Sequence, residues 1–435
     1  FELQDKYNAF DRYMIEGGMA GSYLYKNQEA KYDYIAEVFD TLIVRDISKK
    51  YKLHDICEYE DENVRRKFDL AVFHIGNSYA CHSEIVETFK KYGGVIELHD
   101  TSLHHYLAEE TIVKNDYDKY VEIMQYCHGK KGRETAVRFL NGEIGAPWET
   151  SSDRFTVCKH LIDRAQGVIV HSDFAKQMVL GIRPEAKVVN IPLHTPDICM
   201  NYETLKKDAR KKLRISEDIY IFGAFGHATV HKRIIQILQA LSQYKKEKRN
   251  FHFYIVGQAT GLEIESMVKE LDLEKEVTVT GYTSLEDFKL YMQACDVAFN
   301  LRYPTQGESS ASLHRLLGMG KPVLVTNIGS FREYSDSIVY KVGYGNEEIK
   351  EILKVLFDLT KSKEVFDDKC KQIVEYAKEN YSLMGNTRKY QKYFQTIIDN
   401  SYMNDYLDVI VERLIKLELC EECYMKHIVE KMEWM

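Results

Sequence analysis

Short apolar runs alternate with helix-patterned segments over the first half of the chain. The strand-like runs lie at residues 68–76, 93–100, 164–172 and 186–194. A helical pattern over 80–92 joins the first two runs, so this part predicts a βαβ unit of a parallel sheet. Residues 105–165 are charged and mostly helical in pattern, and we interpret them as an insertion in this first sheet.

A second and more regular series occupies the middle of the chain. Its strand-like runs lie at residues 220–228, 251–259, 276–282, 296–302 and 321–327. Helix-patterned segments separate these runs, which predicts a doubly wound parallel sheet. The runs end in Gly, Pro, Asn or other polar residues, and in such sheets ligands bind beyond the carboxyl ends of the strands.

Pro192 and Pro196 follow the first series and mark a linker between two domains. We therefore predict an α/β protein in which two Rossmann-like doubly wound domains face a central cleft. Residues 1–197 form the first domain and residues 198–365 the second, and helices over 366–435 are expected to pack partly back on the first. A cleft between domains is the usual place for a small ligand.

Composition narrows the function classes. The 435 residues suffice for two or three domains of roughly 150 residues, and 45% hydrophobic with 29% charged residues is ordinary for a globular enzyme. A net charge of −8 disfavours nucleic acid as a partner. The nine cysteines are an odd number and are mostly scattered, with one C-x-x-C spacing at Cys420 and Cys423, and no apolar run approaches the roughly 20 residues that span a bilayer. These features predict a cytoplasmic protein without a zinc site or a disulfide framework.

Missing motifs disfavour several enzyme classes. The chain contains no G-x-x-x-x-G-K-[ST] segment, no G-x-G-x-x-G turn at the start of either series and no G-x-S-x-G elbow. The first absence excludes a P-loop, the second disfavours dinucleotide binding, and the third argues against an α/β-hydrolase.

The strongest candidate for chemistry is the segment 300–327, in which a strand ends at Arg302 and a helix opens after Glu308. Ser309 and Ser310 would stand in the first turn, where backbone N–H groups form a ready anion site. Arg302 adds a fixed positive charge suited to phosphate. Glu308 would repel phosphate and is better suited to hydrogen-bond a sugar. A capped helix after an ordinary βα loop explains the same pattern, and both interpretations stay open.

A second candidate is the glycine turn at 225–233, where Lys232 and Arg233 open a helix. A cation at a helix N-terminus is unfavourable by about 0.3–1 kcal/mol unless an anion lies beside it. We therefore expect Lys232 to neutralise a diphosphate, and a solvated cation is the alternative.

A third candidate is the strand end at His99 and Asp100. A histidine beside an acid can position a hydroxyl group or titrate near neutral pH, and a histidine bonded within its own loop is equally open. A metal site made of His99, Asp100, His104 and His105 is a less favoured alternative. His74 lies inside an apolar run and is expected to be a core residue.

These segments together resemble the retaining glycosyltransferases of the GT-B fold, specifically glycosyltransferase family four. The resemblance covers the chain from Phe68 to Phe394. The segments that carry it are FHIGNSYACH (73–82), VIELHDTSLHH (95–105), GVIVHSDFA (167–175), FGHATVHKR (225–233), VTVTGYTSLEDFKLYMQACDVAFNLRYPTQGESS (277–310) and GKPVLVTNIGSFREY (320–334). Because they occur in the family's order, the resemblance implies the fold and the class of enzyme, but neither the donor nor the acceptor.

The resemblance also implies roles for residues of the second domain. Lys232 matches the basic residue that holds the donor diphosphate, and Glu308 matches the first Glu of a paired motif that contacts the donor sugar. Gly226 forms the turn before His227, which stands where the family usually has Arg. Arg315 stands where the family has its second Glu, which normally holds the ribose.

The remaining donor residues lie at other strand ends. Gly281 and Tyr282 fall where the family's backbone meets the nucleotide base, and Arg302, Ser309 and Ser310 complete the predicted donor site.

On the acceptor side, His99 matches a histidine near the reacting sugar, and Asp100 follows it. The family's glycine-rich loop after the first strand has Gly17, Gly18 and Gly21 as its candidates here, and a plain turn is the alternative.

The resemblance therefore implies retaining, metal-independent hexosyl transfer from a nucleotide-diphosphate sugar to a hydroxyl of a glycan, lipid-linked or protein-linked acceptor. Glu308, Lys232 and His99 would be the catalytic residues, and no cofactor beyond the donor is implied. Peripheral contact with the inner face of a membrane and association with the same or another chain stay open. A catalytically silent partner subunit is an alternative, favoured by Arg315 and His227, and a nucleotide-sugar epimerase is another.

Overall fold

The computed structural model describes residues 55–416 apart from residue 197, residues 248–249 and residues 260–261. The chain divides after Thr387 into two compact units, and both sheets lie in the first unit. Gly17 and Gly18 lie outside the described residues. No helix among the described residues is long and apolar enough to cross a membrane.

The first sheet is parallel, with the strand order β1-β2-β3-β4. Its strands are β1 (Val72–Ile75), β2 (Val95–Leu98), β3 (Gly167–Val170) and β4 (Val188–Asn190). The helices around them are α1 (Glu62–Arg65), α2 (Tyr79–Tyr92), α3 (His104–Glu110), α4 (Tyr117–Leu140), α5 (Pro147–Thr150), α6 (Lys159–Ile162) and α7 (Asp173–Ile182). Helices α3 to α6 lie between β2 and β3, where the insertion was predicted.

The second sheet is also parallel, with the order β10-β9-β8-β5-β6-β7. Its strands are β5 (Tyr220–Phe225), β6 (Phe251–Val256), β7 (Val277–Gly281), β8 (Val297–Asn300), β9 (Val323–Thr326) and β10 (Tyr340–Val342). The helices are α8 (Tyr202–Leu213), α9 (Ile234–Lys246), α10 (Ile264–Glu270), α11 (Leu285–Ala294), α12 (Ala311–Gly318), α13 (Glu348–Leu359), α14 (Lys363–Asn380) and α15 (Leu383–Lys416). The five predicted strands are confirmed, and β10 is an additional strand at the edge.

Alternation along the strands of the second sheet explains its two packed faces. Ile221 of β5 belongs to one apolar cluster together with Leu317 of α12. The next residue, Phe222, belongs to the opposite cluster together with Phe253 and Leu238. Successive side chains of a strand point to opposite faces, so helices cover both sides of this parallel sheet. The predicted doubly wound architecture is thereby confirmed.

The linker around Pro192 and Pro196 is hydrogen-bonded to the chain that follows α14. The Thr195 N–H donates to the Tyr381 carbonyl (2.8 Å), and Asn386 Nδ2 donates to the Pro192 carbonyl (2.5 Å). The predicted domain boundaries themselves stay predictions. The cysteines among the described residues are free thiols.

Candidate donor and acceptor site

The strand order of the second sheet creates the central crevice of the site. The chain runs outward from β5 through β6 to β7 and then returns to place β8 on the other side of β5. The connections on the two sides of this reversal diverge, and ligands bind in the resulting crevice at the carboxyl ends of the strands. The segments after β5 and β8 contain Lys232 and Arg302, which were predicted separately.

A tight glycine turn brings Lys232 to this crevice. Gly226 has φ of +84°, and a Cβ built on it would lie 3.0 Å from Lys232 Nζ. Lys232 ends a 3₁₀ helix (Val230–Lys232), and its Nζ donates to the Phe225 carbonyl at 2.8 Å. The glycine therefore provides both the backbone conformation and the space for the ammonium group.

Arg302 supplies a second cation at the same place. Its backbone N–H donates to Thr326 Oγ1 (2.9 Å), which anchors the residue after β8. The side-chain Nε lies 3.5 Å from Glu308 Oε1, an ion pair without hydrogen-bond geometry. Burial, and then the charge of Arg302, hold the pKa of Lys232 well below its usual range. Two cations that repel each other inside a crevice form a site prepared for an anion.

Glu308 lies in the same loop with a fixed orientation. Its Oε2 accepts from Gln306 N (2.6 Å) and from Thr305 Oγ1 (3.1 Å), and its Oε1 faces Arg302. Both carboxylate oxygens are thus positioned by the protein before any ligand binds. A fixed carboxylate beside two cations can accept a hydrogen bond from a sugar hydroxyl while the cations hold phosphate.

The serines predicted to bind phosphate already use their hydroxyls within the protein. Ser310 is the N-cap of α12: its Oγ accepts from Leu313 N (3.3 Å) and donates to Asn300 Oδ1 (3.1 Å). Ser309 Oγ donates to the His171 carbonyl (3.5 Å). The interpretation as a capped helix is therefore correct for the side chains, and the N–H groups of the first turn are what this helix offers to an anion.

Glycines open the carboxyl ends of the neighbouring strands. Gly281 has φ of +68° and its added Cβ would meet no atom within 4 Å. Gly257 has φ of +139°, and a Cβ there would lie 2.7 Å from the Gly226 carbonyl oxygen. Sequence reasoning did not single out Gly257, although a glycine directly after a strand was the available signal. Tyr282 follows Gly281 and is 40% exposed, so its ring is accessible to a ligand.

Two residues depart from the family's usual pattern. His227 lies beside Lys232; burial first and the lysine charge second lower its pKa, and its Nδ1 is buried without a hydrogen-bond partner among the described residues. Arg315 lies in α12, and its charge contributes, after burial, to lowering the pKa of His194. Neutral His227 can donate one hydrogen bond to a phosphate, but it supplies less charge than arginine would.

The opposite wall of the crevice comes from the first domain. Asp100 Oδ2 accepts from Asn77 N at 2.9 Å. Burial raises the pKa of Asp100 to about 6; the charge of Glu308 adds to this rise, whereas the Asn77 bond and Arg302 oppose it. Asp100 of the first domain therefore interacts electrostatically with Glu308 and Arg302 of the second domain. The two predicted halves of the site face each other.

Direct hydrogen bonds close this contact between the domains. Thr101 N and Ser102 N both donate to the Gln306 carbonyl, at 3.1 and 3.0 Å. Gly307, with φ of +71°, passes so near the first domain that an added Cβ would lie 1.8 Å from Thr101 Oγ1. Glu333 of the second domain accepts from the Asp173 N–H (2.8 Å) at the start of α7. The crevice is thus already bounded on both sides.

His99 is part of a stack of three imidazoles at the end of the first sheet. Its ring lies 5.4 Å from the ring of His74 and 5.3 Å from that of His171. Burial is the main cause that holds the pKa of His99 well below its usual range and lowers that of His171. The expectation that His74 is a core residue is wrong, since its side chain is 29% exposed. His74 is the second-last residue of β1, and its side chain stacks on the ring of His99.

The predicted alternative of a metal site from His99, Asp100, His104 and His105 is not supported. His104 is fully buried and its Nε2 is 2.9 Å from Tyr120 Oη in the core. His105 instead faces Glu149, with 3.3 Å between Nε2 and Oε1. Successive residues of a helix point about 100° apart, so these neighbours could not share one ion.

Comparisons with known proteins agree with this geometry. Residues 206–380, which include every strand of the second sheet, match the family model described as glycosyl transferases group 1. No match was found among the curated proteins. HepE from Anabaena, in a complex with UDP and glucose, has a TM-score of 0.53 at 15% identity, covering 78% of this chain and 80% of that one. Sucrose-phosphate synthase from Thermosynechococcus elongatus has a TM-score of 0.55 at 14% identity, covering 79% and 77%.

These similarities define the class of protein at two levels. The whole described architecture is the GT-B fold of two facing parallel-sheet domains. Within it, residues 206–380 are similar to the glycosyl transferases group 1 family.

Proposed function

We propose that this protein is a retaining glycosyltransferase of family four that transfers a hexosyl group from a nucleotide-diphosphate sugar to an acceptor hydroxyl. The observation that carries the proposal is the pair of mutually repelling cations, Lys232 and Arg302, at the switch point of the second sheet. The match of residues 206–380 to the glycosyl transferases group 1 model supports it. The Anabaena neighbour contains UDP and glucose, so UDP-hexoses are the first donors to test.

The difficult step is cleavage of the bond between sugar and phosphate, which leaves a diphosphate anion and an oxocarbenium-like sugar. Lys232, Arg302 and the first-turn N–H groups of α12 stabilise the leaving diphosphate. Preorganised donors of this kind contribute about 3–4 kcal/mol each. Because two side-chain cations provide this charge, the donor diphosphate requires no divalent ion.

The remaining residues position the two sugars. Glu308 accepts a hydrogen bond from the donor sugar, and His99 and Asp100 bound the acceptor side. The acceptor hydroxyl attacks from the face that the diphosphate leaves, and a diphosphate oxygen takes its proton, so the configuration at the anomeric carbon is retained. Closure of the cleft limits hydrolysis because it excludes water. The acceptor is a glycan, a lipid-linked sugar or a protein.

Thermal unfolding with UDP, GDP and ADP tests the donor site first. One of these nucleotides should raise the free energy of unfolding, by about 2.7 kcal/mol when it is present at a hundred times its Kd. A screen of the matching nucleotide-hexoses with acceptor mixtures should then yield a product whose anomeric configuration equals that of the donor. An inverted product would contradict retention, and conversion of the donor without any acceptor would identify an epimerase instead.

Arg315 favours a second candidate function, a catalytically silent partner subunit. It places a cation where the resemblance expects the carboxylate that holds the ribose. A silent subunit would be stabilised by none of the three nucleotides, and it would copurify with an active glycosyltransferase. Association with another chain and peripheral contact with a membrane belong to this part of the proposal and are tested by the same purification.

A further inference from the structure

Two clusters of two histidines and one glutamate lie in the described part of the chain, and within each cluster the potential ligand atoms lie within 4.8 Å of one another. The first consists of His74, Glu97 and His99, and the second of His105, Glu149 and His231. Two imidazoles and a carboxylate are a common ligand set for zinc and similar divalent ions. A metal needs the lone pair of each imidazole, so the position of the ring protons decides between the clusters.

The second cluster is unsuited to a metal because its surroundings place a proton on the ligating atom. Asn77 Oδ1 accepts from Tyr106 N (3.0 Å), so the amide nitrogen of Asn77 faces His105 Nδ1 at 3.1 Å. The amide nitrogen of Gln306 lies 3.5 Å from the same Nδ1. Nδ1 therefore accepts, and the ring proton stands on Nε2, where it is donated to Glu149. This cluster is a hydrogen-bonded bridge.

In the first cluster the hydrogen bonds leave a lone pair on the ligating nitrogen of His99. His171 Nδ1 lies 2.8 Å from the Ile191 carbonyl and must donate to it. A neutral His171 has its lone pair on Nε2, which accepts from His99 Nδ1 at 3.3 Å, and Glu97 Oε1 lies 3.4 Å from the same nitrogen. This order leaves the lone pair of His99 on Nε2, which faces His74 Nδ1 at 3.2 Å. A metal-ligating histidine typically donates its other N–H to a neighbour in this way.

The distances within the first cluster suit a four-coordinate ion. Bonds of about 2.0–2.1 Å to zinc place neighbouring ligand atoms roughly 3.3 Å apart. The nitrogens of His74 and His99 lie 3.2 Å apart, and Glu97 Oε2 lies 3.8 Å from His74 Nδ1. Glu97 is buried, whereas the His74 side chain is 29% exposed. Before an ion binds, His74 Nδ1 carries its proton toward His99 Nε2, and metal binding shifts this proton to the other ring nitrogen or releases it to solvent. The partly exposed side chain lets an ion enter past it.

We propose that the carboxyl end of the first sheet is a Zn²⁺ site formed by His74 Nδ1, Glu97 and His99 Nε2. His171 is a positioning residue that holds the proton of His99 away from the ion. The fourth coordination position is left for water or for an oxygen of a molecule bound on the acceptor side. The ligands of this ion come from the first domain, whereas Lys232 and Arg302 come from the second.

The test measures metal binding directly on the untagged full chain. The protein is stripped with a chelator and titrated with Zn²⁺ in competition with a chromophoric chelator, and Co²⁺ absorption in the visible region reports the coordination. The wild type should bind one equivalent more than His74→Ala, which changes a partly exposed side chain. His171→Ala should retain one equivalent with an affinity weakened by about 10- to 100-fold.

The second cluster provides matched controls. His105→Ala and His231→Ala remove the same chemical group from a site where the proton arrangement opposes binding, and both should bind Zn²⁺ like the wild type. The proposal is overturned if the wild type binds no stoichiometric Zn²⁺ or if His74→Ala binds Zn²⁺ as the wild type does. It is also overturned if Zn²⁺ binding is lost in His105→Ala and His231→Ala instead. Thermal unfolding without metal distinguishes a lost ligand from a misfolded variant.

Discussion

Replacing Lys232 with methionine tests the donor site most sharply. Methionine keeps an unbranched side chain but removes the ammonium group, which donates to the Phe225 carbonyl and is repelled by Arg302. A hydrogen bond to a charged group contributes about 1.5–3 kcal/mol, so the Kd for the donor nucleotide should rise about 10- to 100-fold. Without ligand, the variant should lose at most about 1 kcal/mol of unfolding free energy, the contribution of the hydrogen bond to the Phe225 carbonyl. The repulsion between Lys232 and Arg302 disappears at the same time and offsets part of that loss.

The pKa of Lys232 adds a pH signature to this variant. In the free protein, burial and Arg302 depress that pKa, whereas a bound diphosphate favours the charged form and raises it. Affinity is therefore greatest below the free-protein pKa and falls as the pH rises through it, and binding above that pKa takes up a proton. Measurements belong above about pH 7, where a terminal phosphate with a second pKa of about 6 is ionised.

Isothermal titration calorimetry in two buffers of different ionisation enthalpy measures both the affinity and the proton uptake. Lys246→Met, the same change at an exposed position of α9, is the control and should match the wild type. Binding of the nucleotide by Lys232→Met within twofold of the wild type, or with unchanged proton uptake, would refute the assignment of Lys232 to the diphosphate.

Three further predictions follow from the described contacts. Glu308→Gln should lower kcat on the order of a hundredfold while nucleotide affinity and the melting temperature stay near wild-type values, since the proposal gives this residue a contact with the sugar and none with the nucleotide. An unchanged kcat would contradict that role of Glu308. Gly307→Ala should cost roughly 1–3 kcal/mol of unfolding free energy in urea, because its φ is +71° and its Cβ would strike Thr101; a neutral effect would show that the domains do not meet there. Asp296→Ala should lower the free energy of unfolding by about 3–5 kcal/mol, because it leaves the buried Arg210 guanidinium, 2.5 Å from the carboxylate, without its ionic partner. A loss below about 1 kcal/mol in the same urea assay would contradict a buried ion pair.

Local patterns located most of the secondary structure. The strands of the second sheet were predicted because apolar runs that repeat every 20–30 residues between amphipathic segments have few other interpretations. Strand β10 (Tyr340–Val342) was missed although Ile338 and Val339 precede it as an apolar pair, because the strand is short and pairs only with β9 at the edge of the sheet. The predicted strands are longer than the observed ones, since side-chain pattern continues beyond the last ladder hydrogen bond.

The residues of the candidate site also divide into those that the sequence predicted and those that it did not. Lys232, Arg302 and Glu308 were predicted from strand ends and helix starts, because chemistry in parallel sheets concentrates there. Glu149 and the role of His74 could not be predicted, because their importance depends on which loops approach them.

The amino-acid sequence by itself determined the alternation of strands and helices, the two-domain organisation and the charged residues at the strand ends, because these depend on neighbours within a few turns of the chain. Only the tertiary structure decided that β5 and β8 are adjacent, that Asp100 faces Glu308, and which ring nitrogen of each histidine carries a proton. Those properties arise from contacts between residues up to 229 positions apart, such as Asn77 and Gln306, and short-range pattern contains no information about them.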